Sequence, residues 1–182
     1  MPKNRYSIDL IKQMAECDAN YTAIPDSNFE QALIDLGIDT NLTIDGQVLN
    51  ADIEGVTNLD VINKNIADLT GIEGFTALTK LSCALNQLTS LDVSNNLGLT
   101  ELRIFNNQLT SLDVSANPAL IDLIFNGNQL TSLDVSANPA LDYLNCNNNQ
   151  LTSLDVTNNP ALTELRINNN QLTSLDFSNN SA

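Results

Sequence analysis

Histidine and tryptophan are both missing from this 182-residue sequence, and basic residues are few. Without histidine, neither a Ser-His-Asp nor a Cys-His catalytic arrangement is available. Seven Lys and Arg residues stand against 22 Asp and Glu residues, which gives a formal net charge of -15. A charge of this sign disfavours nucleic acid and anionic membranes as partners. We therefore expect a protein that is not an enzyme, has no cofactor and does not bind nucleic acid.

Long apolar runs are also absent. No segment approaches the roughly 18 consecutive apolar residues of a membrane-spanning helix, so we expect no membrane insertion. The N-terminal segment MPKNRYSIDLIKQ lacks the apolar core of a secretory signal peptide. Cys17, Cys83 and Cys146 are too few and too widely spaced to predict a disulfide framework or a zinc site.

What the sequence does contain is a repeat. The string L-T-S-L-D recurs every 21 residues, starting at Leu88, Leu109, Leu130, Leu151 and Leu172. The residues between these strings follow the pattern L-x-x-L-x-(I/C/F)-x-x-N-x-L, and a weaker first copy begins at Val56. The alternation in L-x-(I/C/F) predicts one short strand per copy, with a single buried face. Stacked copies would form a parallel sheet with rungs about 4.8 Å apart.

This pattern resembles the short 21-residue class of bacterial leucine-rich repeats, over residues 56–180. That class often carries Cys at the second strand position, as Cys83 and Cys146 do here. The resemblance implies an α/β leucine-rich-repeat solenoid, a right-handed coil with a parallel sheet on one face and short extended segments on the other. It implies an N-terminal helical cap, which we expect over residues 1–55, followed by about six coils over residues 56–182. It also implies an extracellular or cell-surface protein.

Two columns of asparagine recur with the repeat, and we interpret both as structural. Buried amides at fixed positions satisfy backbone groups where the chain turns. The first predicted ladder consists of Asn86, Asn107, Asn128, Asn149 and Asn170, and the second of Asn96, Asn117, Asn138, Asn159 and Asn180.

The expected cap contains a clear helix signal. Ser27 and Glu30 have the spacing of a capping box, and Gly37 is a typical stop signal. Phe29, Leu33 and Leu36 would share one helix face. A shorter helix is predicted over residues 7–16.

Related caps imply a calcium loop after this helix, and the segment around Gly46 partly matches one. Its candidate ligands would be Asn41, Thr43, Asp45 and Asp52. Because Asn41 stands where Asp is usual, we interpret the segment as a polar turn and keep a calcium site as the alternative.

Candidate binding residues occupy the positions that vary between coils on the outer sheet face. The first row is Asn58, Lys80, Glu101, Asp122, Tyr143 and Glu164. The second is Asp60, Ser82, Arg103, Ile124, Asn145 and Arg166. The third is Ile62, Ala84, Phe105, Asn126, Asn147 and Asn168.

Phe105, Ile124 and Tyr143 form an apolar diagonal beside Arg103, and such residues are enriched at protein interfaces. We therefore predict protein recognition through the sheet face. The alternatives are a glycan-binding module and a structural spacer of a longer surface protein. The predicted ligand-binding residues are Lys80, Arg103, Phe105, Ile124, Asn126, Tyr143, Asn145, Asn147 and Arg166.

Two further features concern the opposite side and the last coil. A column of aspartates should be held by hydrogen bonds within the adjacent turns, with a bound cation as the alternative; it consists of Asp92, Asp113, Asp134, Asp155 and Asp176. The last coil carries no polar cap, so we expect either that the chain is a fragment of a longer protein or that this end makes an end-to-end or dimer contact.

Overall fold

The computed structural model describes residues 20–176 and 178–180. The predicted helix over residues 7–16, Cys17 and Phe177 lie outside the described residues. Two strands and two helices come first: β1 (Tyr21–Ala23), α1 (Ser27–Asp35), β2 (Gln47–Leu49) and α2 (Asn50–Ile53). The solenoid strands follow: β3 (Asn58–Asp60), β4 (Lys80–Ser82), β5 (Glu101–Arg103), β6 (Asp122–Ile124), β7 (Tyr143–Asn145) and β8 (Glu164–Arg166).

The main sheet is a parallel stack in sequence order. Strands β3 to β8 form six rungs, each paired in parallel with the next. Leu102 pairs with Leu123, and Leu123 pairs with Leu144, so the pairing follows the 21-residue repeat. The first coil is one residue longer, because Asn58 pairs with Lys80. The predicted solenoid with a parallel sheet on one face is confirmed.

One continuous hydrophobic core runs along the inside of the coil. The inward strand residues Leu102, Ile104, Leu123 and Phe125 are all fully buried in it. The core is shared between successive coils, which explains how coils too small to fold alone can form a stable stack. Within the stretch that the structure describes, no helix is long and apolar enough to cross a bilayer.

Each coil leaves its strand through a left-handed turn residue. The residues with positive φ at this step are Asn63, Leu85, Asn106, Gly127, Asn148 and Asn169. Asn and Gly tolerate this conformation, whereas an ordinary side chain is strained there. Leu85, with φ of 57°, is the exception in the column, and its side chain is exposed.

In the N-terminal cap, helix α1 differs from three expectations, which concern its N-cap residue, its buried face and its capping box. The α1 N-cap is Asp26, not Ser27: one carboxylate oxygen of Asp26 accepts from the Asn28 and Phe29 amides. Its other oxygen accepts from the amides of residues 67 and 68 in the first coil. This tertiary contact with the first coil favours Asp26 over Ser27 as the N-cap residue of α1. Leu36 is the C-cap residue and is exposed, so only Phe29 and Leu33 of the predicted face are buried.

Glu30 does not form the predicted capping box. Its fully buried carboxylate instead accepts hydrogen bonds from the backbone N–H groups of Asp45, Gly46 and Gln47, at 2.8 to 3.3 Å. Three donors from one loop compensate the burial of this charge. Glu30 therefore fixes the loop between α1 and β2 to the helix, a role that the local sequence motif did not reveal.

The cap is joined to the first coil by close packing. The Phe29 and Phe75 rings lie 6.2 Å apart. Gly71 has a φ of 105°, and a Cβ there would fall 2.5 Å from the Ala23 carbonyl oxygen. This backbone approach requires glycine.

Candidate functional site

Both asparagine columns are part of the frame. In the first, each amide oxygen accepts a backbone N–H of the preceding coil, and each amide nitrogen donates to carbonyls of the preceding coil and its own. Asn128 accepts from Leu109 N–H at 3.0 Å and donates to the carbonyls of Ile104 and Phe125. In the second, Asn117 donates to the carbonyls of Val93 and Asn96. These side chains are buried in all coils but the last, where Asn170 and Asn180 are partly exposed.

The aspartate column on the opposite side is held by its own turns. Each carboxylate accepts the backbone N–H two residues later, as Asp113 does from Ser115 at 2.9 Å. The neighbouring Ser and Thr hydroxyls, followed by these amides, hold the pKa of Asp92, Asp113, Asp134 and Asp155 below the usual value. The hydrogen-bonded interpretation of this column is confirmed by these contacts.

The two described cysteines are buried at the second strand position. Burial raises the pKa of both thiols to about 12, which makes them poor nucleophiles at neutral pH. The same position carries Ile104 and Phe125 in the intervening coils, so the thiols serve as core side chains.

The cap loop uses its polar groups internally. Asp52 accepts from the amide and hydroxyl of Thr40, and Asn41 accepts from the Thr43 amide. Asn41 also donates to Asp45 at 3.3 Å. Over residues 20–176 and 178–180, no group of three or more Asp, Glu or Cys side chains is arranged to hold a metal ion. Calcium binding by Asn41, Thr43, Asp45 and Asp52 stays a prediction.

The variable residues lie together on the sheet face. Arg103 pairs across the sheet with Ile124, and Asp122 pairs with Tyr143. Phe105, Ile124 and Tyr143 are all partly exposed on adjacent rungs. One predicted outward position is wrong: Ala84 is fully buried.

The cations of this face are held by its own carboxylates. Glu101 binds Lys80 at 3.1 Å and Arg103 at 2.5 Å. Arg166 binds Glu164 at 2.7 Å and also lies over the Tyr143 ring, 5.6 Å from its centroid. Glu101 and Glu164 thus position the predicted binding cations. Glu101 lies beside Lys80 on the next rung, and each glutamate stands two residues before its arginine partner.

The asparagines of the face divide into two kinds. Asn145 accepts from the Asn147 amide, and Asn147 accepts from the Asn168 amide at 2.6 Å. Asn126 is partly exposed, and its side chain forms no hydrogen bond with the rest of the described chain. Of these three predicted ligand-binding amides, Asn126 alone keeps its oxygen free of a described protein donor.

A shallow depression of about 340 Å³ lies on the same face, between β5 and β8. Its lining adds Asp142 and Thr163, which sequence reasoning left out because they precede the strands and fall outside the alternating pattern. The Thr163 hydroxyl donates to the Asp142 carboxylate. The full lining is Arg103, Asp122, Ile124, Asp142, Tyr143, Thr163 and Glu164.

Repeated inward leucines, stacked parallel rungs and bonded asparagine ladders define a leucine-rich-repeat protein, a fold used for protein interaction. The model for leucine-rich repeats (two copies) matches residues 139–180. The chain is a leucine-rich-repeat protein whose solenoid is similar to those of bacterial internalins.

Similar proteins occur in Listeria monocytogenes and Leptospira interrogans. A 41-residue segment is 56% identical to internalin J of Listeria monocytogenes, covering 22% of this chain and 4% of that protein. The functional domain of InlJ from the same species, described as including a cysteine ladder, matches with a TM-score of 0.81 and 39% identity. That match covers 88% of this chain and 36% of that one.

Two further structures show the same fold. The internalin inlF of Listeria monocytogenes matches with a TM-score of 0.72 and 25% identity, covering 84% of this chain and 46% of that one. A leucine-rich-repeat protein of Leptospira interrogans matches with a TM-score of 0.65 and 29% identity, covering 69% and 34%. The chain therefore spans less than half the length of each of these structures.

Proposed function

We propose that the chain is a non-enzymatic recognition module that binds a protein through the outer face of strands β4 to β8. The observation that carries this proposal is the division of labour within each coil. The inward leucines and asparagines repeat uniformly and most are buried, whereas the sheet-face residues differ from coil to coil and, apart from Ala84, are at least partly exposed. In a solenoid, specificity depends on the positions that vary, because the constant ones build the frame.

The centre of the proposed surface is the apolar diagonal of Phe105, Ile124 and Tyr143, bordered by Arg103. Aromatic and arginine side chains supply most of the energy at protein interfaces. The ion pairs of Arg103 and Arg166 with their glutamates hold both guanidinium groups in place before a partner arrives. A positioned side chain loses less conformational freedom on binding.

We also infer that the module works outside the cell. The internalin-like solenoid supports this location, because relatives of this kind are surface or secreted proteins.

The test is affinity capture from a panel of extracellular proteins with three forms of the chain. The sheet-face variant combines Arg103→Ala, Phe105→Ser and Tyr143→Ser. The control variant, Ser111→Ala with Ser132→Ala, changes exposed residues on the opposite side. We expect the control to retain a partner that the sheet-face variant loses, with both melting as the wild type does. Equal capture by all three forms contradicts the proposal.

Two other outcomes separate the alternatives. A glycan array that binds the wild-type chain, with binding lost in Asn126→Ala, would replace the protein partner with a carbohydrate. Absence of any ligand on both protein and glycan arrays would leave a structural spacer.

A further inference from the structure

The depression between β5 and β8 is lined by apolar and acidic side chains, together with Arg103, which is paired with Glu101. Ile124 and Tyr143 are partly exposed on neighbouring rungs. Asp122, Asp142 and Glu164 contribute carboxylates around them. This combination matches the two parts of a long basic side chain, an aliphatic stem and a charged head.

The carboxylates of the depression are not equally neutralised. Glu164 is paired with Arg166, and Asp142 accepts from the Thr163 hydroxyl. Asp122 forms no hydrogen bond or salt bridge with the described part of the chain. In the sheet it lies between Glu101 and Tyr143, and Asp142 is close enough to repel it. Burial, followed by repulsion from Glu101, raises the pKa of Asp122. A cation beside Asp122 would relieve both effects.

We propose that this depression receives an arginine or lysine side chain of the partner protein, with its stem against Ile124 and Tyr143 and its cation at Asp122. The inference deepens the proposed function and rests on it. It states that the partner presents a basic side chain at the centre of the interface, and not a purely apolar surface.

Two observations support this occupant. Arg166 already lies over the Tyr143 ring, so one face of this ring accommodates a guanidinium group within the chain itself. The net charge of -15 also attracts basic partners and accelerates their encounter with the chain. Lys80, Arg103 and Arg166 do not reverse the charge of the depression. Glu101 and Glu164 offset two of these three positive charges, and Asp122 and Asp142 outweigh the third.

The test uses small probes, so that it does not depend on knowing the partner. The isotope-labelled chain is titrated with N-acetyl-arginine methylamide and separately with the neutral isostere N-acetyl-citrulline methylamide, and backbone amide shifts are recorded. We expect the arginine probe to shift the amides of Ile124, Tyr143 and Thr163, with the citrulline probe binding at least about fivefold more weakly, the factor that 1 kcal/mol represents.

Matched variants then separate the depression from general acidity. Asp122→Asn and Asp113→Asn each remove one negative charge, but Asp113 lies in the column on the opposite side. We expect Asp122→Asn to weaken the arginine probe about fivefold and Asp113→Asn to change it less than twofold. Arg166→Gln removes the competing cation from the Tyr143 ring and should strengthen binding.

The contrary results are equally clear. Equal binding of arginine and citrulline probes, or shifts confined to the aspartate column, would overturn the basic-side-chain inference. A captured partner that needs Phe105 and Tyr143 but tolerates Asp122→Asn would also overturn it, while leaving the proposed function intact. Arginine binding in the depression, without any partner that depends on Phe105, would keep the cation pocket and contradict the proposed function.

Discussion

Replacing Asn128 with alanine tests whether the asparagine ladder holds the coils together. The Asn128 side chain is 7% exposed and forms three hydrogen bonds with the backbone. Its oxygen accepts the Leu109 N–H, for which the structure shows no other acceptor. Its nitrogen donates to two carbonyls that keep second donors, because Asn107 also bonds Ile104 and Asn149 also bonds Phe125.

The magnitude follows from this unequal sharing. Leaving the Leu109 N–H buried without a partner costs about 1–3 kcal/mol. The two shared carbonyls lose one donor each, which adds roughly 0.5–1 kcal/mol apiece. We therefore expect Asn128→Ala to lower the free energy of unfolding by about 2–5 kcal/mol. With a urea dependence of roughly 2 kcal/mol per molar, the unfolding midpoint should fall by about 1–2.5 M.

The matched control lies two residues away. Asn126→Ala removes the same chemical group from the sheet face, where it forms no hydrogen bond within the described residues. Its effect on stability should stay within about 0.5 kcal/mol. Urea unfolding followed by far-ultraviolet circular dichroism measures both variants. Equal stability of the Asn128 and Asn126 variants would refute a structural ladder.

Four other perturbations probe separate parts of the molecule. Glu30→Gln should destabilise the chain by about 2–3 kcal/mol, because it weakens charge-assisted bonds to the cap loop, and amide exchange should accelerate most at residues 45–47. Leu85→Asn should stabilise it by about 0.5–1 kcal/mol by relieving left-handed strain, measured from the thermal midpoint; an unchanged or lower midpoint argues against strain. The raised pKa of Asp122 means that folding favours the protonated carboxyl group. Asp122→Asn should therefore stabilise the chain at pH 7, and this gain should disappear below the ordinary aspartate pKa of about 3.8. Equal gains in stability at pH 7 and pH 3 would contradict this direction of the pKa shift. If the cap loop binds calcium, a chelator lowers the melting temperature of the wild-type chain, and Asp52→Asn lowers it even when no chelator is added. Identical melting with and without chelator would show that the loop is a polar turn without calcium.

The solenoid could be predicted from the sequence because its determinants are periodic. One misplaced residue does not obscure a signal repeated at Leu102, Leu123 and Leu144, and the strand pairing follows from the same interval. The asparagine columns are readable for the same reason, since each coil repeats one hydrogen-bond requirement. Even Leu85 is identifiable as an exception only because the neighbouring coils define what is usual there.

The contacts of the N-terminal cap could not be predicted from the sequence, because each occurs once and joins segments that are distant in sequence. Ser27 and Glu30 have the spacing of a local motif, but Asp26 gains two further donors from the first coil, and Glu30 gains three from a loop 15 residues away. Local propensity cannot weigh these tertiary partners. The candidate site shows the same limit, because Asp142 enters the depression from outside the alternating strand pattern.

The direction of the ladder bonds has an evolutionary consequence. Every ladder asparagine serves the coil before it, as Asn149 does for Leu130, so a newly duplicated coil brings the side chain that completes its predecessor. Length can then change by whole units while older units keep their sequences. The recognition ribbon would widen one rung at a time, which gives such a lineage a simple way to fit targets of different breadth.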